Sequence, residues 1–167
     1  MKKALAALIL AHATLALSVA ATHRLLPDRV ATHFGPDGQP DGWASRSDYA
    51  TYLLSSAALI SILCAGPLYL TRKLPESLIN IPERDYWLAP ERRDEAHARL
   101  FALGLGIAAA TTGLFVALHL LTVRANLARP PRLATAEAFG LVATFLAILG
   151  GVFWAFGPRA WRVEDRS

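Results

Sequence analysis

Cysteine is almost absent from this chain, with Cys64 the one example in 167 residues. A lone cysteine closes no intramolecular disulfide and builds no paired-cysteine zinc or redox motif. Charge is missing just as selectively: Ala4–Thr22, Ala50–Leu70, Leu100–Val123 and Ala138–Phe156 contain no Asp, Glu, Lys or Arg. No His-Glu-x-x-His run or twelve-residue calcium loop occurs, so no dedicated metal spacing is present. The basic residues form no block apart from the flanks of the apolar stretches. The formal net charge of +4 therefore offers no nucleic-acid surface and reads as a topology signal.

Apolar residues take the place of charge. They make up 54% of the chain, more than a soluble domain usually carries, and the mean hydropathy is +0.35. A helix crossing a bilayer needs about 20 mostly apolar residues, and helices of soluble bundles keep a polar face. Four charge-free blocks thus predict an all-α fold, an integral membrane four-helix bundle in a single domain covering 1–167. The expected spans are 4–22, 50–70, 100–123 and 138–156, with a structured extracytoplasmic loop over 23–49 and a cytoplasmic segment over 71–99. Met1-Lys2-Lys3 followed by an apolar run and Ser18-Val19-Ala20 also has the shape of a cleavable signal peptide. Three further spans make a retained first helix the simpler reading, and both readings place 23–49 outside the cytoplasm.

With both termini cytoplasmic, the inner side collects Lys2, Lys3, Arg72, Lys73, Arg84, Arg92, Arg93, Arg99, Arg159, Arg162 and Arg166. The outer side holds Arg24, Arg29, Arg46, Arg124, Arg129 and Arg132. Excess Lys and Arg mark the cytoplasmic side, so this orientation is expected.

The stretch Leu26–Trp43 carries the most chemistry outside the spans. Pro36-Asp37-Gly38 and Pro40-Asp41-Gly42 both read as turns, because Pro presets φ, Asp bonds the following backbone and Gly accepts the bend. The loop is expected to fold as a cap on the helix ends. Phe34 and Trp43 would face the bundle mouth, His33 and Asp41 would approach each other, and His23 and His119 would lie on the same face. Pro27, Asp28, His33, Phe34, Gly38, Asp41, Trp43 and His119 are the candidates for ligand binding or loop organisation. His12, midway along the first span, is expected to bond a neighbouring helix. The inner segment carries Ile79, Ile81, Tyr86 and Trp87, too apolar for a free linker, and is expected to dock on the bundle. A helix should start near Pro90 and run on into the third span, and Thr135 should cap the fourth helix.

Leu26-Pro27-Asp28, Val30, Thr32-His33-Phe34, Gly38, Asp41 and Trp43 together resemble the domain of unknown function that begins SdpI-type bacterial membrane proteins. Asn80-Ile81-Pro82 with Tyr86-Trp87-Leu88 is similar to the family's second, cytoplasmic signature. Ala31 stands where the family often has Pro. The resemblance implies a bacterial inner-membrane protein, multi-pass, with Asn80, Pro82, Tyr86 and Trp87 as candidate contacts for a cytoplasmic partner. SdpI-type proteins carry a further membrane segment and C-terminal domain, so their role in immunity to a peptide toxin and in repressor sequestration is not carried over.

The expected function is a non-enzymatic sensor or immunity-like binding protein. Its outer loop would recognise a peptide or small molecule, and its partners would be the lipid bilayer, a protein inside and a second copy of the chain, with no nucleic acid and no cofactor. Two alternatives stay open: a membrane enzyme in which His33, Asp37 and Asp41 hold a metal that activates water, and a small transporter component using His12 and His119.

Overall fold

The computed structural model describes residues 1–162. Its elements in order are α1 (Lys2–Thr22), β1 (Arg29–Phe34), β2 (Pro40–Ser45), α2 (Arg46–Leu70), α3 (Arg84–Trp87), α4 (Arg93–Leu127) and α5 (Thr135–Phe156). Short 3-10 turns lie at Thr71–Lys73, Glu76–Leu78 and Pro158–Trp161. The helices α1, α2, α4 and α5 are each long and apolar enough to cross a membrane, and each contains one of the charge-free blocks. The all-α expectation needs correction, because residues 29–45 form a two-stranded antiparallel sheet. Only Pro36-Asp37-Gly38 turns the chain. Pro40-Asp41-Gly42 lies within β2, where Gly42 pairs opposite His33.

The helices do not pack as equal members of a bundle. The hub is α4, which packs against α1, α2 and α5, whereas α1 and α2 touch each other much less. Small residues make this possible, since Ala102, Gly104, Ala108 and Thr112 on α4 are all buried. At Gly104 a Cβ would lie 2.8 Å from the Cys64 carbonyl oxygen and 2.9 Å from the Ala65 Cα, so α2 and α4 meet nearly backbone to backbone. Leu15, Val19 and Ala57 form the adjoining core with Leu53, Phe115 and Val116 around them. No residue of α5 is buried. Ile9, Leu17, Ile62 and Phe139 turn outward and are each more than half exposed.

Helix boundaries follow local chemistry more closely than hydropathy. The second helix starts at Arg46, ahead of its apolar block, because the Ser45 hydroxyl accepts from the Asp48 N–H at 3.0 Å and donates to the Asp48 carboxylate at 2.7 Å. Ser45 is thus a side-chain N-cap, and the Asp48 carboxylate holds its hydroxyl in place. Thr135 is the first residue of α5 and not its cap, a position Ala134 holds without a side-chain bond. Pro67 sits inside α2, which continues to Leu70. One tight turn from Ala89 precedes α4, which then runs 35 residues without a break.

The segment between α2 and α4 is folded and docked, as its apolar residues predict. Ile79, Ile81, Trp87 and Leu88 are buried against Ala96 and Leu100 of α4 and Trp161 of the tail. The Trp87 indole donates to the Trp161 carbonyl at 2.8 Å, the two rings meet edge to face with centroids 5.7 Å apart, and the Arg99 guanidinium lies 4.1 Å from the centre of the Trp87 ring.

Replacing Gly104 with Leu should force α2 and α4 apart. Overpacking of this kind costs roughly 1–3 kcal/mol, so the thermal midpoint of the detergent-purified variant should fall by several degrees. An unchanged midpoint would show that the close approach at Gly104 does not matter.

Candidate functional site: a clamped hairpin cap

The hairpin turn is built by Gly35–Gly38, with the Gly38 N–H donating to the Gly35 carbonyl at 2.9 Å. The Asp37 carboxylate accepts from the Gln39 N–H at 3.0 Å, the bond expected of Asp in a turn. Gly38 takes φ +77°, a conformation that favours glycine, and a Cβ there would run into the Leu133 carbonyl. The tip is therefore seated on the connection between α4 and α5. The Leu133 N–H donates to the Gly38 carbonyl at 3.0 Å, and Arg132 donates to the Asp37 carbonyl at 3.2 Å.

The strand β1 is held from its other edge. The Arg46 N–H donates to the Asp28 carbonyl at 3.0 Å, which makes Asp28/Arg46 and Val30/Ala44 the bonded pairs and turns the N–H and C=O of Ala31 away from β2. Asn126 of α4 meets both groups. Its side-chain oxygen accepts from the Ala31 N–H at 2.8 Å, and its amide donates to the Ala31 carbonyl at 2.9 Å and to the Thr122 carbonyl at 2.9 Å. Ala31 is fully buried, so without Asn126 two main-chain groups would be desolvated and unpaired. A third clamp comes from Arg46, which donates to the His23 and Leu26 carbonyls, each at 3.2 Å, and to the Asp28 carboxylate at 2.6 Å.

Beneath the hairpin, Leu26 and Val30 pack on Tyr49 and Val123, and His119 ties three helices together. The Thr22 hydroxyl donates to the Ser18 carbonyl at 2.8 Å, so it accepts from His119 Nε2 at 2.9 Å, and His119 Nδ1 then accepts from the Tyr49 hydroxyl at 2.9 Å. One neutral tautomer satisfies every group. Tyr49 also stacks on the imidazole with centroids 5.8 Å apart. Deeper in, His12 bonds the Leu8 carbonyl at 3.1 Å, with the Ser61 hydroxyl 3.5 Å from its other ring nitrogen. Its bond is thus to its own helix, and the expected bond to a neighbouring helix is only a contact at the limit of hydrogen-bond length, because the Ser61 hydroxyl already donates to the Ala57 carbonyl at 2.8 Å.

The predicted site residues separate into different roles. His33 and Asp41 do meet, as an exposed pair with 74% and 53% of their side chains accessible, so His33 lies at the rim and not at the centre of the cap. The buried centre is formed instead by His119 and Asn126. Trp43 is 40% exposed, because the alternation of β2 turns Asp41, Trp43 and Ser45 outward. Phe34 is half-buried, Pro27 is exposed, and Asp28 serves the Arg46 clamp. At the opposite end Asn80, Pro82 and Tyr86 are exposed while Trp87 is buried. Among the described residues no three His, Cys, Asp or Glu side chains come close enough to hold a metal ion.

Trp43 stands between two grooves. One, of about 390 Å³, is lined by Thr32, Trp43, Tyr49, Tyr52, Ser56 and Phe115. The other, also about 390 Å³, lies among Leu25, Pro27, Arg29, Trp43, Leu127 and Arg129. The first is aromatic with hydroxyls at its rim, and the second is apolar with two guanidiniums.

Residues 9–56 match the domain of unknown function DUF1648. The matched stretch takes in the second half of α1, the hairpin and the first part of α2. No curated protein and no solved structure matches the chain. Of the residues that hold the hairpin down, Arg46 and Tyr49 lie inside the matched stretch, whereas His119, Val123, Asn126 and Leu133 lie outside it.

Asn126 and Arg46 carry the cap, and the sequence reading gave neither a role. Ser45-x-x-Asp48 was a legible signal for the early start of α2. Asn126 had a weaker one, being an amide just past an apolar block near a helix end.

Asn126→Leu should leave the Ala31 N–H and C=O buried and unpaired, at roughly 1–3 kcal/mol for each group. Amide hydrogen exchange over 29–34 should rise at least tenfold while the middle of α4 stays protected. Unchanged exchange would mean that the apolar packing of Leu26 and Val30 alone holds the strand.

Proposed function

We propose that this chain is a multi-pass inner-membrane binding protein of a bacterium, acting without catalysis, whose clamped hairpin forms one wall of a ligand groove. The observation that carries the reading is the aromatic groove itself. Its wall residue Trp43 stands on a hairpin fixed at Ala31, Asp28 and Gly38, while its floor residues Tyr49, Tyr52 and Phe115 come from α2 and α4. A concave, mainly apolar site with hydroxyls at its rim suits a small apolar molecule or the side chains of a peptide. Fixing the wall in advance removes an ordering cost that a mobile loop would pay on binding. A metal-dependent enzyme at His33, Asp37 and Asp41 finds less support, since those side chains make an exposed pair and a turn bond.

Membrane residence is supported by four long apolar helices with outward-facing large apolar residues and by α5, apolar all round, which water would not tolerate. The resemblance to SdpI-type proteins and the excess of Lys and Arg around the tail end favour a bacterial inner membrane with both termini cytoplasmic. The docked segment 71–99 then presents Asn80, Pro82 and Tyr86 to a cytoplasmic partner, and a second copy of the chain is a further candidate partner.

Orientation has a direct check. With Cys64 replaced by Ser, a cysteine at exposed Gln39 should react with an impermeant maleimide on intact spheroplasts, whereas one at exposed Asn80 should react only after the membrane is opened. The reverse pattern would invert the topology.

The groove is tested by a photo-reactive benzophenone side chain placed at Thr32 or Tyr52 in living cells, with Phe139 on α5 as the control. An adduct of one discrete mass is expected at Thr32 and Tyr52 only. Trp43→Ala should reduce its yield on the order of tenfold, the loss expected when an aromatic anchor is truncated. Identical lipid adducts at all three positions would overturn the binding reading.

A further inference from the structure

We infer that the second groove, on the other side of Trp43, is a binding site for the headgroup of an anionic phospholipid. The groove is lined mainly by apolar residues, among them Leu25, Pro27 and Leu127, together with Asn126, Arg29 and Arg129. The Arg29 guanidinium sits over the Trp43 ring, 5.2 Å from its centre, so an aromatic face and not a carboxylate positions it. Its neighbours are already engaged. Asp28 is paired with Arg46, Glu137 with Arg124, and Asp41 with His33. Neither Arg29 nor Arg129 has a carboxylate partner among the described residues, which leaves two free guanidiniums across one concave site.

The apolar wall decides between a free anion and an amphiphile. Leu25 and Leu127 are 58% and 52% exposed, and they lie just beyond the end of α1 and at the end of α4, two of the helices long and apolar enough to cross a membrane. Inorganic phosphate would leave those side chains wet, whereas a phospholipid covers them with the first carbons of its chains while its phosphate reaches the two arginines. The volume, about 390 Å³, lies within the range of small-ligand sites. The C-terminal end of α4 borders the groove and opposes an anion with about half a negative charge. Two full guanidinium charges outweigh it, and arginine matches the oxygen geometry of a phosphate in a paired, planar fashion. The site shares Trp43 with the aromatic groove but differs from it in chemistry. The assignment rests on the membrane reading proposed above.

The full chain in detergent, titrated with short-chain phosphatidylglycerol or phosphatidylcholine and read by native mass spectrometry, tests the assignment. Two arginines near an anionic lipid should make phosphatidylglycerol bind roughly tenfold tighter than phosphatidylcholine. Arg29→Gln with Arg129→Gln should abolish that preference, while Arg24→Gln, an exposed arginine outside the groove, should keep it. Should the double variant fail to fold, Arg129→Gln alone removes no hydrogen bond of the hairpin and should lose a substantial part of the preference. Equal binding of the two lipids, or a preference that survives loss of both arginines, would overturn the site. Displacement of phosphatidylglycerol by equimolar inorganic phosphate would overturn its assignment to a lipid. Protein that stays monodisperse in water without detergent would count against the membrane reading itself, whichever lipid it prefers.

Discussion

The arrangement at the hairpin end depends on the double hydrogen bond between Asn126 and the main chain of Ala31. A two-stranded hairpin is marginal in isolation, and this one buries the edge of β1, where no third strand lies among the described residues. One amide side chain serves as that strand for a single residue, accepting from the N–H and donating to the carbonyl. It can do so only because α4 extends past its apolar stretch and brings position 126 level with β1. The cap, the position of Trp43 and both grooves follow from that alignment. The shared dependence also explains why the stretch matching DUF1648, residues 9–56, does not make a closed unit in this chain.

The helix α4 plays a similar part at each of its ends. At the hairpin end His119 joins Thr22 of α1 to Tyr49 of α2. Near the other end His97 meets the Thr71 hydroxyl at 3.1 Å, where the chain leaves α2. Between these polar ties the closest approach to α2 is made by small and apolar residues around Gly104, so the helices are pinned at their ends and pressed together in the middle. The Ser61–Thr112 contact at 3.3 Å lies about 15 residues along α4 from His97, roughly 22 Å at 1.5 Å per residue. Leu100–Ala110 offers no polar side chain across that gap. Along α4 the polar residues near its two ends are therefore separated by an apolar stretch.

Much of the candidate site was legible as residue types and little of it as contacts. His33 and Asp41 were expected to meet and do, because a turn at 36–38 folds their strands together. Their exposure was not legible, since it depends on which face of β2 turns outward, and on β1 the two irregularities in register near His33 break the alternation. His119 was recognised as lying at the hairpin end. Its partners could not be read, because Thr22 and Tyr49 are 97 and 70 positions away and nothing local marks them. The docking of 74–99 was legible from its apolar content, but the role of Trp161 as the lid on that cluster was not.

Local sequence alone dictated the four long apolar helices and their order, a turn at Pro36-Asp37-Gly38, and the inner segment's need to bury Ile79, Ile81 and Trp87, whereas the second turn expected at Pro40-Asp41-Gly42 gave way to strand β2. These are local matters of hydropathy, backbone geometry and uncovered apolar surface, which a linear pattern expresses directly. Only the tertiary structure decided that the loop between the first two helices is a sheet, that α4 is the hub and α5 a peripheral helix, and that Asn126 and Arg46 organise the cap. Each of those outcomes depends on satisfying particular main-chain polar groups with side chains distant in sequence. Satisfaction of that kind is a property of three-dimensional proximity, which residue spacing along the chain does not encode.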